Sequence, residues 1–463
     1  MTSEEQHADP APWPAGLISP RELRGYVDRG EITTIRLAVP DMQGRPKGKI
    51  ISAPVFVDRM DSQADMCAYV LATDINMTAL DGFDLTGWQQ GYGDLRVMAD
   101  PASIRGLPHQ PGSALVMGDA FHHDGTPIEV APRYMLRTQL ERLADLGYHV
   151  ALGTETEFLL HQGTAQDVHQ AGYNGLRPAW PHNLDYALMH PPQAADFFHH
   201  LHDALHEAGI PLEAIKTEGA PGQTELTFVY GDVMAACDAY TAFQIIVRDL
   251  AQRRGMTANF MAAPATGIGN GLHLHLSLWS PHGNAFTYHR SDDLPPVMEY
   301  AIAGLLAAMP HLAPLYAPTP NSYKRYTPHT FAPTHYTWGF DNRGCAIRVT
   351  GHGENAHLEV RLPGADANPY LATAAMVAAI THGIHDHPDL PPPSTGDPYT
   401  THHATPLPAD LTEAVHTFHS NKTALDAFGH NVVRHYTRAA QAENTRHRTH
   451  VTDIERQHGI TRG

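Results

Sequence analysis

Two carboxylates inside an apolar stretch constrain this chain more than any other short segment. The stretch GTETEFLL, from Gly153 to Leu160, places Glu155 and Glu157 two residues apart. Successive side chains of a β-strand point to opposite faces, so both carboxylates are predicted to share one face. Like charges this close repel each other unless water screens them or a cation lies between them. The pair alone fits either a half-exposed strand or a divalent-cation site.

Length, composition and charge exclude several classes of protein. At 463 residues the chain is too long for one simple core, so two domains are expected. No apolar run reaches about 18 residues, so no transmembrane helix is predicted. The formal net charge of −18 argues against nucleic acid or an anionic membrane as the main partner.

The N-terminal residues and the cysteines favour a cytoplasmic protein. Residues 1–17 are acidic, rich in proline and without an apolar segment, which predicts a flexible tail and no secretory signal. The three cysteines, Cys67, Cys237 and Cys345, lie far apart and predict no disulfide framework. Reduced cysteines are typical of the cytoplasm.

Helix and strand signals divide the chain into two domains of an α+β fold. Ser19 is the predicted N-cap of a short helix, and Gly44 lies in a predicted turn between two strands. Short strands continue to a Pro/Gly stretch, GLPHQPGS, which is the expected domain boundary. The prediction is an N-terminal domain over residues 18–112 and a larger C-terminal domain over residues 113–463, where helices alternate with strands and two helices lie near the C-terminus.

Three further stretches carry polar side chains on predicted strands or across a turn. In GLHLHLSLW, KTEGAPGQTELTF and HLEVRLPG these side chains are His273, His275, Glu218, Glu225, Glu359 and Arg361. Each stretch alone could be a solvated strand face. Together, five carboxylates and one histidine could line one cavity, and such ligands suit Mg²⁺ or Mn²⁺ better than zinc.

Several arginines lie in the same part of the chain, namely Arg325, Arg343, Arg348 and Arg361. In phosphoryl transfer, metal ions bridge the phosphates and arginines stabilise the transferring group. Acidic ligands together with these arginines therefore indicate a phosphoryl-transfer site.

Six segments resemble the ordered signature segments of the glutamine synthetase family, type I. They are GTETEF, EGAPGQTE, NGLHLHLSL, NSYKRYTP, NRGCAIR and LEVRLPGADANPYL. Their order, spacing and residue types agree with the family from about residue 30 to near the C-terminus. The resemblance implies an N-terminal β-grasp domain and a catalytic domain whose strands form a funnel for ATP and glutamate. It also implies a homo-oligomer, a dodecamer of two hexameric rings whose active sites are shared between neighbours.

The resemblance further implies roles for individual residues. Two ligand sets for Mg²⁺ or Mn²⁺ would be Glu157, Glu218 and Glu225, and Glu155, His273 and Glu359. The implied ATP contacts are His275, Ser277, Arg343 and Arg348. The implied glutamate contacts are Arg325 at the α-carboxylate, Arg361 near the γ-carboxyl group, and the backbone of Gly269. In the implied reaction ATP phosphorylates glutamate to γ-glutamyl phosphate, and an amine then displaces the phosphate.

One flap position departs from the ammonia-using members of the family. They carry a glutamate two residues before an Ala-Pro pair, whereas this chain has Phe331 in KRYTPHTFAPT. Phenylalanine neither accepts a proton nor pairs with ammonium, but it can pack along a carbon-bearing amine or face a cation. This favours a changed amine substrate. The alternative is a shifted flap in which His329 or His335 takes over the role.

The sequence leaves alternatives for the other residues of the amine pocket. Two segments compete for the catalytic aspartate that the family supplies from a neighbouring subunit, with Asp74 in ATDINMTALDG and Asp81 in DGFDLTGW. Tyr186 corresponds to a further pocket residue. Tyr399 falls near a loop that some members adenylylate, but the surrounding motif is absent, and it is interpreted as an ordinary loop tyrosine.

These features predict an ATP-dependent ligase that joins the γ-carboxyl group of glutamate to an organic amine, either a polyamine, ethanolamine or a monoamine. An ammonia-using glutamine synthetase is the main alternative. A catalytically silent structural ring is the third, and the complete six-ligand set argues against it.

Overall fold

The computed structural model describes residues 16–59, 64–289, 293–401 and 403–462, so most of the predicted N-terminal tail lies outside the described residues. The helices are α1 (Pro20–Asp28), α2 (Ala53–Asp58), α3 (Pro132–Ala144), α4 (Ala165–Gln170), α5 (Pro192–Glu207), α6 (Val233–Arg253), α7 (Pro296–Ala308), α8 (Ala313–Tyr316), α9 (Pro369–Asp386), α10 (Leu411–His419), α11 (Lys422–Thr449) and α12 (Asp453–Arg462). The strands are β1 (Thr34–Pro40), β2 (Pro46–Ser52), β3 (Ala64–Cys67), β4 (Asp94–Ala99), β5 (Arg105–Gly106), β6 (Ser113–Phe121), β7 (His149–Gln162), β8 (Leu212–Thr217), β9 (Gln223–Phe228), β10 (Gly231–Asp232), β11 (Met256–Asn259), β12 (Leu272–Ser280), β13 (Gly283–Asn284), β14 (Trp338–Phe340), β15 (Ile347–Thr350) and β16 (His357–Val360).

The N-terminal part is built around a six-stranded sheet with the order β2-β1-β6-β4-β3, to which β5 adds by pairing with β6. β1 and β2 form an antiparallel hairpin, and Gly44 lies in its turn with a φ of 77°, as predicted. Ser19 caps α1 in a capping box with Glu22. β6 begins at Ser113, just past the expected domain boundary, yet it pairs in parallel with β1. The first sheet therefore extends into the range expected for the catalytic domain.

The second sheet has ten strands and carries the polar residues identified in the sequence. Its central order is β14-β15-β16-β12-β7-β9-β8, with β10 and β11 paired to β7 and β13 paired to β12. β7 contains the predicted GTETEFLL strand and runs antiparallel to both β12 and β9. The histidines of β12 and the glutamate of β9 therefore flank Glu155 and Glu157.

Helices cover the sheets and tie the two parts of the chain together. α9 is buried along most of its length, as its apolar sequence predicts, and it packs against α7. A Cβ on Gly304 of α7 would lie 2.4 Å from the Ala379 carbonyl oxygen, so glycine permits this close approach. At the start of α9, Asn368 Nδ2 donates to the carbonyl oxygens of Asp41 and Met42, in the turn of the first sheet.

The described C-terminal part contains α10, α11 and α12, where the sequence predicted two helices, and Gly429 interrupts α11 with a non-helical φ of 78°. The additional helix, α12, has no buried residue, so the apolar periodicity that reveals a packed helix is absent from it. Within the ranges that the structure describes, no helix combines the length and the apolar character needed to cross a membrane.

Candidate active site

The register of β7 with its two neighbours brings the acidic residues together. Across β7 and β12, Glu155 lies opposite His273, and across β7 and β9, Glu157 lies opposite Glu225. Residues directly opposite each other in antiparallel strands have their side chains on the same face of the sheet. β7 therefore supplies one carboxylate to each of two neighbouring groups of ligands.

Set one consists of Glu157, Glu218 and Glu225, which offer carboxylate oxygens within 4.8 Å of one another. Glu157 is held by Gly271, whose backbone N–H donates to Glu157 Oε2 at 2.7 Å. A Cβ at position 271 would lie 2.5 Å from His273 Nε2, so a larger residue here would displace the imidazole of His273. The three expected ligands of the first metal thus converge in the folded chain.

The carboxylates of set one perturb one another's pKa. Burial, together with the charges of Glu155 and Glu218, raises the pKa of Glu225 to about 10. Burial alone would also raise the pKa of Glu218, but hydrogen bonds with Glu225 and Lys216 outweigh it and lower that pKa. Such crowding of partly buried carboxylates is what a divalent cation relieves.

Set two consists of Glu155, His275 and Glu359, whose ligand atoms also lie within 4.8 Å of one another. His275 Nε2 is buried, has no hydrogen-bond partner among the described residues and lies 3.6 Å from Glu155 Oε2. His273 was the histidine expected here, and its Nδ1 lies 2.7 Å from Glu155 Oε1 and 3.4 Å from Glu359 Oε1. The fold brings both histidines to the same acid pair, and the choice of ligand between them stays a prediction.

Glu359 lies between two arginines. It is fully buried, and it accepts a hydrogen bond from Arg348 Nη1 at 2.7 Å and another from Arg361 Nη1. Burial opposes the ionisation of Glu359, but the charges of Arg361, His273 and His275 outweigh it and lower the pKa to about 2. Two of the predicted arginines are therefore adjacent to set two.

Arg325 is a buried cation that makes no ion pair with a described residue. It is 4% exposed, and its Nη1 donates to the carbonyl oxygens of Arg361 and Leu362 at 3.1 and 3.3 Å. Its Nη2 lies 3.3 Å from His273 Nε2, and burial lowers its pKa. Gly269 lies against it, since a Cβ there would be 3.0 Å from Arg325 Cγ. A buried guanidinium of this kind suits the carboxylate of a bound molecule.

A cavity of about 490 Å³ opens beside set two. The residues that line it include His275, Ser277, Trp279, His357 and Tyr230. Trp279 Nε1 donates to Ser277 Oγ at 2.9 Å, and His275 Nδ1 lies 3.1 Å from His357 Nε2. Aromatic and imidazole rings with a few polar groups are a common lining of small-molecule sites.

The predicted flap holds its central residues in an unusual backbone conformation. His329 and Phe331 have φ values of 61° and 60°, and the Phe331 side chain is 67% exposed. Tyr399 supports this loop, since its hydroxyl donates to the Ala332 carbonyl oxygen at 3.1 Å and its ring centroid lies 5.0 Å from that of His329. The tyrosine interpreted as an ordinary loop residue is therefore in contact with the flap. His335, the other residue considered there, lies 3.0 Å through Nδ1 from Thr334 Oγ1.

Three predicted residues lie outside the cluster formed by one chain. The Asp74 carboxylate accepts backbone N–H groups of its own turn at 2.8 Å, and the Asp81 carbonyl oxygen accepts from Arg438 Nε at 2.7 Å. Arg343 is exposed in the loop before β15. Within the described ranges of one chain, none of the three makes a hydrogen bond or ion pair with a residue of either set.

Sequence reasoning missed Lys216, which the structure brings into contact with set one. Its Nζ contacts the Glu218 carboxylate, lies 3.6 Å from Glu225 Oε2 and lies 4.3 Å from the centroid of the Tyr186 ring. The order Lys-Thr-Glu on a predicted strand places Lys216 and Glu218 on one face, and this alternation is the signal that could have identified it. Gly271 was also missed, because its role depends on a contact with a distant strand.

The donor groups of both sets fit divalent cations. They comprise five carboxylates and a buried imidazole nitrogen without a hydrogen-bond partner, which are ligands that hard and borderline cations prefer. The fold and the site therefore define a class of α+β proteins in which a site suited to divalent cations lies beside buried arginines and a cavity.

Comparisons with known proteins identify the family. Residues 129–458 match the family described as glutamine synthetase, catalytic domain. A γ-glutamylethanolamide synthetase of Streptomyces coelicolor is 41% identical over 436 residues, which cover 94% of each chain. A glutamate–isopropylamine ligase of a Pseudomonas species is 31% identical, covering 90% of this chain and 92% of that protein. A solved structure of a GmaS–ADP complex has a TM-score of 0.81 at 27% identity, covering 95% of this chain and 99% of that one.

The protein belongs to the glutamine synthetase family, as the six sequence segments predicted. Its mixed α/β architecture is also confirmed.

Proposed function

We propose that this protein is an ATP-dependent ligase that joins the γ-carboxyl group of glutamate to a small organic amine. The observation that carries the proposal is the convergence of sets one and two next to Arg325, a buried guanidinium without an ion pair in the described chain. The relatives named as amine ligases support a carbon-bearing amine as the second substrate.

Mg²⁺ or Mn²⁺ ions, two or more per site, fit the ligand sets. Set one would hold one cation. Glu155 and Glu359 would hold another together with His273, and His275 is the alternative imidazole ligand. Bound cations would neutralise the charge of the phosphates. The buried Nε2 of His275 has no hydrogen-bond partner in the described chain, which supports a bound cation or phosphate beside it, because a buried imidazole nitrogen normally has such a partner.

ATP is proposed to occupy the cavity beside set two. His275 and Ser277 line the cavity, and Trp279 offers an aromatic surface for the base. Arg348, which pairs with Glu359, and Arg343, in the exposed loop before β15, are the proposed phosphate contacts.

Glutamate is proposed to bind between the two arginines next to set two. Arg325 would hold the α-carboxylate, with the backbone of Gly269 as a neighbouring contact. Arg361 would stabilise charge at the γ-carboxyl group, because its Nε is buried and has no hydrogen-bond partner in the described chain.

The residues of the site would support two successive displacements. In the first, a γ-carboxylate oxygen of glutamate attacks the γ-phosphorus of ATP, ADP leaves, and Arg361 and Arg343 stabilise the transferring group. In the second, a neutral amine attacks the γ-carbon of γ-glutamyl phosphate, and phosphate leaves with the electrons of the C–O bond. Asp74 or Asp81 of the partner subunit is the proposed acceptor of the proton that the amine loses.

The amine pocket is proposed to include Phe331 and Tyr186. Both side chains are exposed in a single chain, and the Tyr186 ring lies 4.3 Å from Lys216 Nζ, beside set one. An apolar wall at Phe331 favours an amine whose carbon atoms can be buried, such as ethanolamine, a monoamine or a polyamine.

A screen of ATP cleavage with glutamate and a panel of amines tests the proposal. The panel contains ammonia, ethanolamine, methylamine, isopropylamine and 1,4-diaminobutane, and mass spectrometry identifies each product. We expect ADP release to depend on glutamate, on a divalent cation and on a carbon-bearing amine. Glutamine as the best product would establish the ammonia-using alternative, and no ATP cleavage with any amine would favour the silent ring.

The quaternary and domain organisation completes the proposal. We propose that the first sheet forms a β-grasp N-terminal domain and that the catalytic domain begins between Phe121 and Glu129. We also propose that the protein assembles into a dodecamer of two hexameric rings. Within the described ranges of one chain, neither Asp74 nor Asp81 makes a hydrogen bond or ion pair with a residue of either set, which supports sites shared between subunits. Three cysteines without disulfides support a cytoplasmic location.

Mixed rings test the shared site. An Asp74→Asn/Asp81→Asn double variant and an Arg343→Ala variant should each be nearly inactive, because each lacks a residue proposed to act at every site. When the two are dissociated, mixed and reassembled, some sites receive both intact contributions, and part of the activity should return. Activity that stays absent in mixed rings of the correct size, or a fully active monomer in sedimentation, would contradict the proposal.

A further inference from the structure

Lys216 lies where three carboxylates meet an aromatic ring. On β8 it is directly opposite Glu225 of β9. Its ammonium group contacts Glu218 and lies 3.6 Å from both Glu225 Oε2 and Asp185 Oδ1. The centroid of the Tyr186 ring is 4.3 Å from Nζ, within the range of a cation–π interaction.

A short segment of chain is tied to β8 so that its side chains cover this lysine. Thr217 Oγ1 donates to the Leu184 carbonyl oxygen at 2.6 Å, and the Tyr186 N–H donates to the Thr217 carbonyl oxygen. Tyr186 adopts a left-handed conformation with a φ of 54°, which a non-glycine residue takes up only when its surroundings favour it. The contact between Tyr186 and Lys216 is therefore built into the local fold.

Lys216 is at the reacting end of the site and not at the nucleotide end. Along β7 the residues run from Gly153, which lines the cavity, through Glu155 of set two to Glu157 of set one. Glu157 lies opposite Glu225, and Glu225 lies opposite Lys216. The lysine is thus level with set one, whose Glu157 is four residues along β7 from Gly153, and its side chain is 21% exposed.

We propose that Lys216 is a specificity-determining residue that restricts the second substrate to amines with one amino group and an otherwise uncharged body. Its charge repels ammonium and the second ammonium group of a diamine, and it offsets the charge of Asp185, the neighbouring carboxylate that belongs to neither ligand set. This inference rests on the proposed ligase function and deepens it. A cation such as ammonium gains affinity chiefly from nearby negative charge, whereas an amine with carbon atoms also gains it from apolar burial.

Two substitutions at Lys216 separate its charge from its packing. Lys216→Met keeps an unbranched apolar side chain and removes the charge, while Lys216→Arg keeps the charge. Lys422→Met, at the exposed start of α11, is the matched control. The measurement is kcat/KM for 1,4-diaminobutane, ammonia and ethanolamine at saturating Mn²⁺ and ATP.

Lys216→Met should raise kcat/KM for the diamine and for ammonia about tenfold relative to ethanolamine, the effect of one unit charge removed a few ångströms away. Lys216→Arg and Lys422→Met should keep the ratios of the wild type. Unchanged ratios in Lys216→Met would overturn the inference, since the loss of a merely structural lysine would change kcat/KM for all three amines alike.

Asp185→Asn provides a second, independent test, in which the preference for the diamine should change in the opposite direction. It removes one of the carboxylates beside Lys216, so the ratio of diamine to ethanolamine should fall below that of the wild type. If Lys216→Met does not fold, the Asp185→Asn variant tests the inference alone, and an unchanged ratio of diamine to ethanolamine would then overturn it. A wild-type enzyme that uses no amine at all would refute the proposed function itself, whereas wild-type ligation with unchanged ratios refutes only the role of Lys216.

Discussion

At the scale of single residues, the site depends on two glutamates that share one strand face but serve different groups. Glu155 and Glu157 lie two positions apart in an extended chain, which is about 7 Å. That spacing lets one face of β7 contribute to both sets, with His273 opposite one glutamate and Glu225 opposite the other. Replacing either glutamate should therefore remove one ligand from one set and leave the other set complete.

Replacing Glu157 tests the metal assignment of set one. Glu157→Gln keeps the size of the side chain and its acceptor for the Gly271 N–H, but it removes one of three charges that would hold the cation. We expect phosphoryl transfer to fall at least a hundredfold and the Mn²⁺ concentration for half-maximal activity to rise. Steady-state ADP release across a Mn²⁺ titration measures both. Glu141→Gln, at an exposed position of α3, is the control, and full turnover by Glu157→Gln would contradict the assignment.

Replacing Phe331 tests the selection of the amine. Loss of a close acid in a partly desolvated pocket costs an ammonium ion about 2–4 kcal/mol of binding free energy, which is roughly a thirty- to thousand-fold loss of affinity. An alkylamine recovers about 0.8 kcal/mol for each methylene that it buries. Phe331→Glu should therefore lower turnover of the carbon-bearing amine and raise glutamine formation.

The test of this prediction is kcat/KM for ammonia and for ethanolamine with both proteins, at a pH where the ammonium fraction is known. Phe331→Gly is the control, because glycine adopts the φ of 60° at this position readily and adds no acid. If Phe331→Glu and Phe331→Gly change kcat/KM for ammonia and for ethanolamine equally, the residue at this flap position does not determine the class of amine.

At the scale of elements, the flap is a loop whose strained conformation depends on contacts from another segment. His329 and Phe331 both have positive φ, which costs non-glycine residues about 1 kcal/mol or more each. Tyr399 contacts the loop through a hydrogen bond to Ala332 and through the ring of His329. These contacts explain how a loop with an exposed phenylalanine holds one conformation.

Removing the hydroxyl of Tyr399 tests this support. Tyr399→Phe loses one hydrogen bond of about 1 kcal/mol, which should increase the mobility of the flap and raise the KM for the amine several-fold. The KM for ATP should change little, because the nucleotide cavity is lined by other residues. Tyr148→Phe is the control, since no hydrogen bond of its hydroxyl is found in the described chain. Equal KM values for the amine in Tyr399→Phe and wild type would show that the contact does not support the flap.

At the scale of the whole molecule, a C-terminal helix joins the catalytic part to the N-terminal part. His435 of α11 is buried, its Nε2–H donates to the Leu71 carbonyl oxygen at 2.9 Å, and its ring lies 4.5 Å from that of Phe83. Burial of this imidazole lowers its pKa to about 4. Protonation of His435 would therefore weaken the contact between the two parts.

The pH dependence of stability tests this contact. The pKa of His435 is near 6.5 when the chain is unfolded, so between pH 6.5 and 4 the unfolded state binds more protons than the folded state. The neutral ring therefore stabilises the fold fully above pH 6.5, and this stability is lost as the pH falls toward 4, by about 2 kcal/mol at pH 5. His435→Phe keeps a ring in the contact without the proton, so its melting temperature should fall less than that of the wild type between pH 7 and pH 5. An equal fall of the melting temperature in both proteins would exclude His435 as the cause of the pH dependence.

The sequence by itself determined the features that depend on neighbouring residues. The alternation of Glu155 and Glu157 predicted a strand with one acidic face, and Ser19 predicted the start of α1, because strand periodicity and helix capping act over a few positions. The order of the six segments also identified the family. Phe331 marked the departure from ammonia-using members without any knowledge of the fold.

Only the tertiary structure decided which groups meet, because strand register depends on hydrogen bonds between segments far apart in the chain. The pairings of Glu157 with Glu225 and of Glu155 with His273 join segments separated by 68 and 118 residues. The same long-range register added β6 to the first sheet and brought Lys216 to set one. No local pattern records such pairings, since a shift of one residue would keep every propensity and turn each side chain to the opposite face.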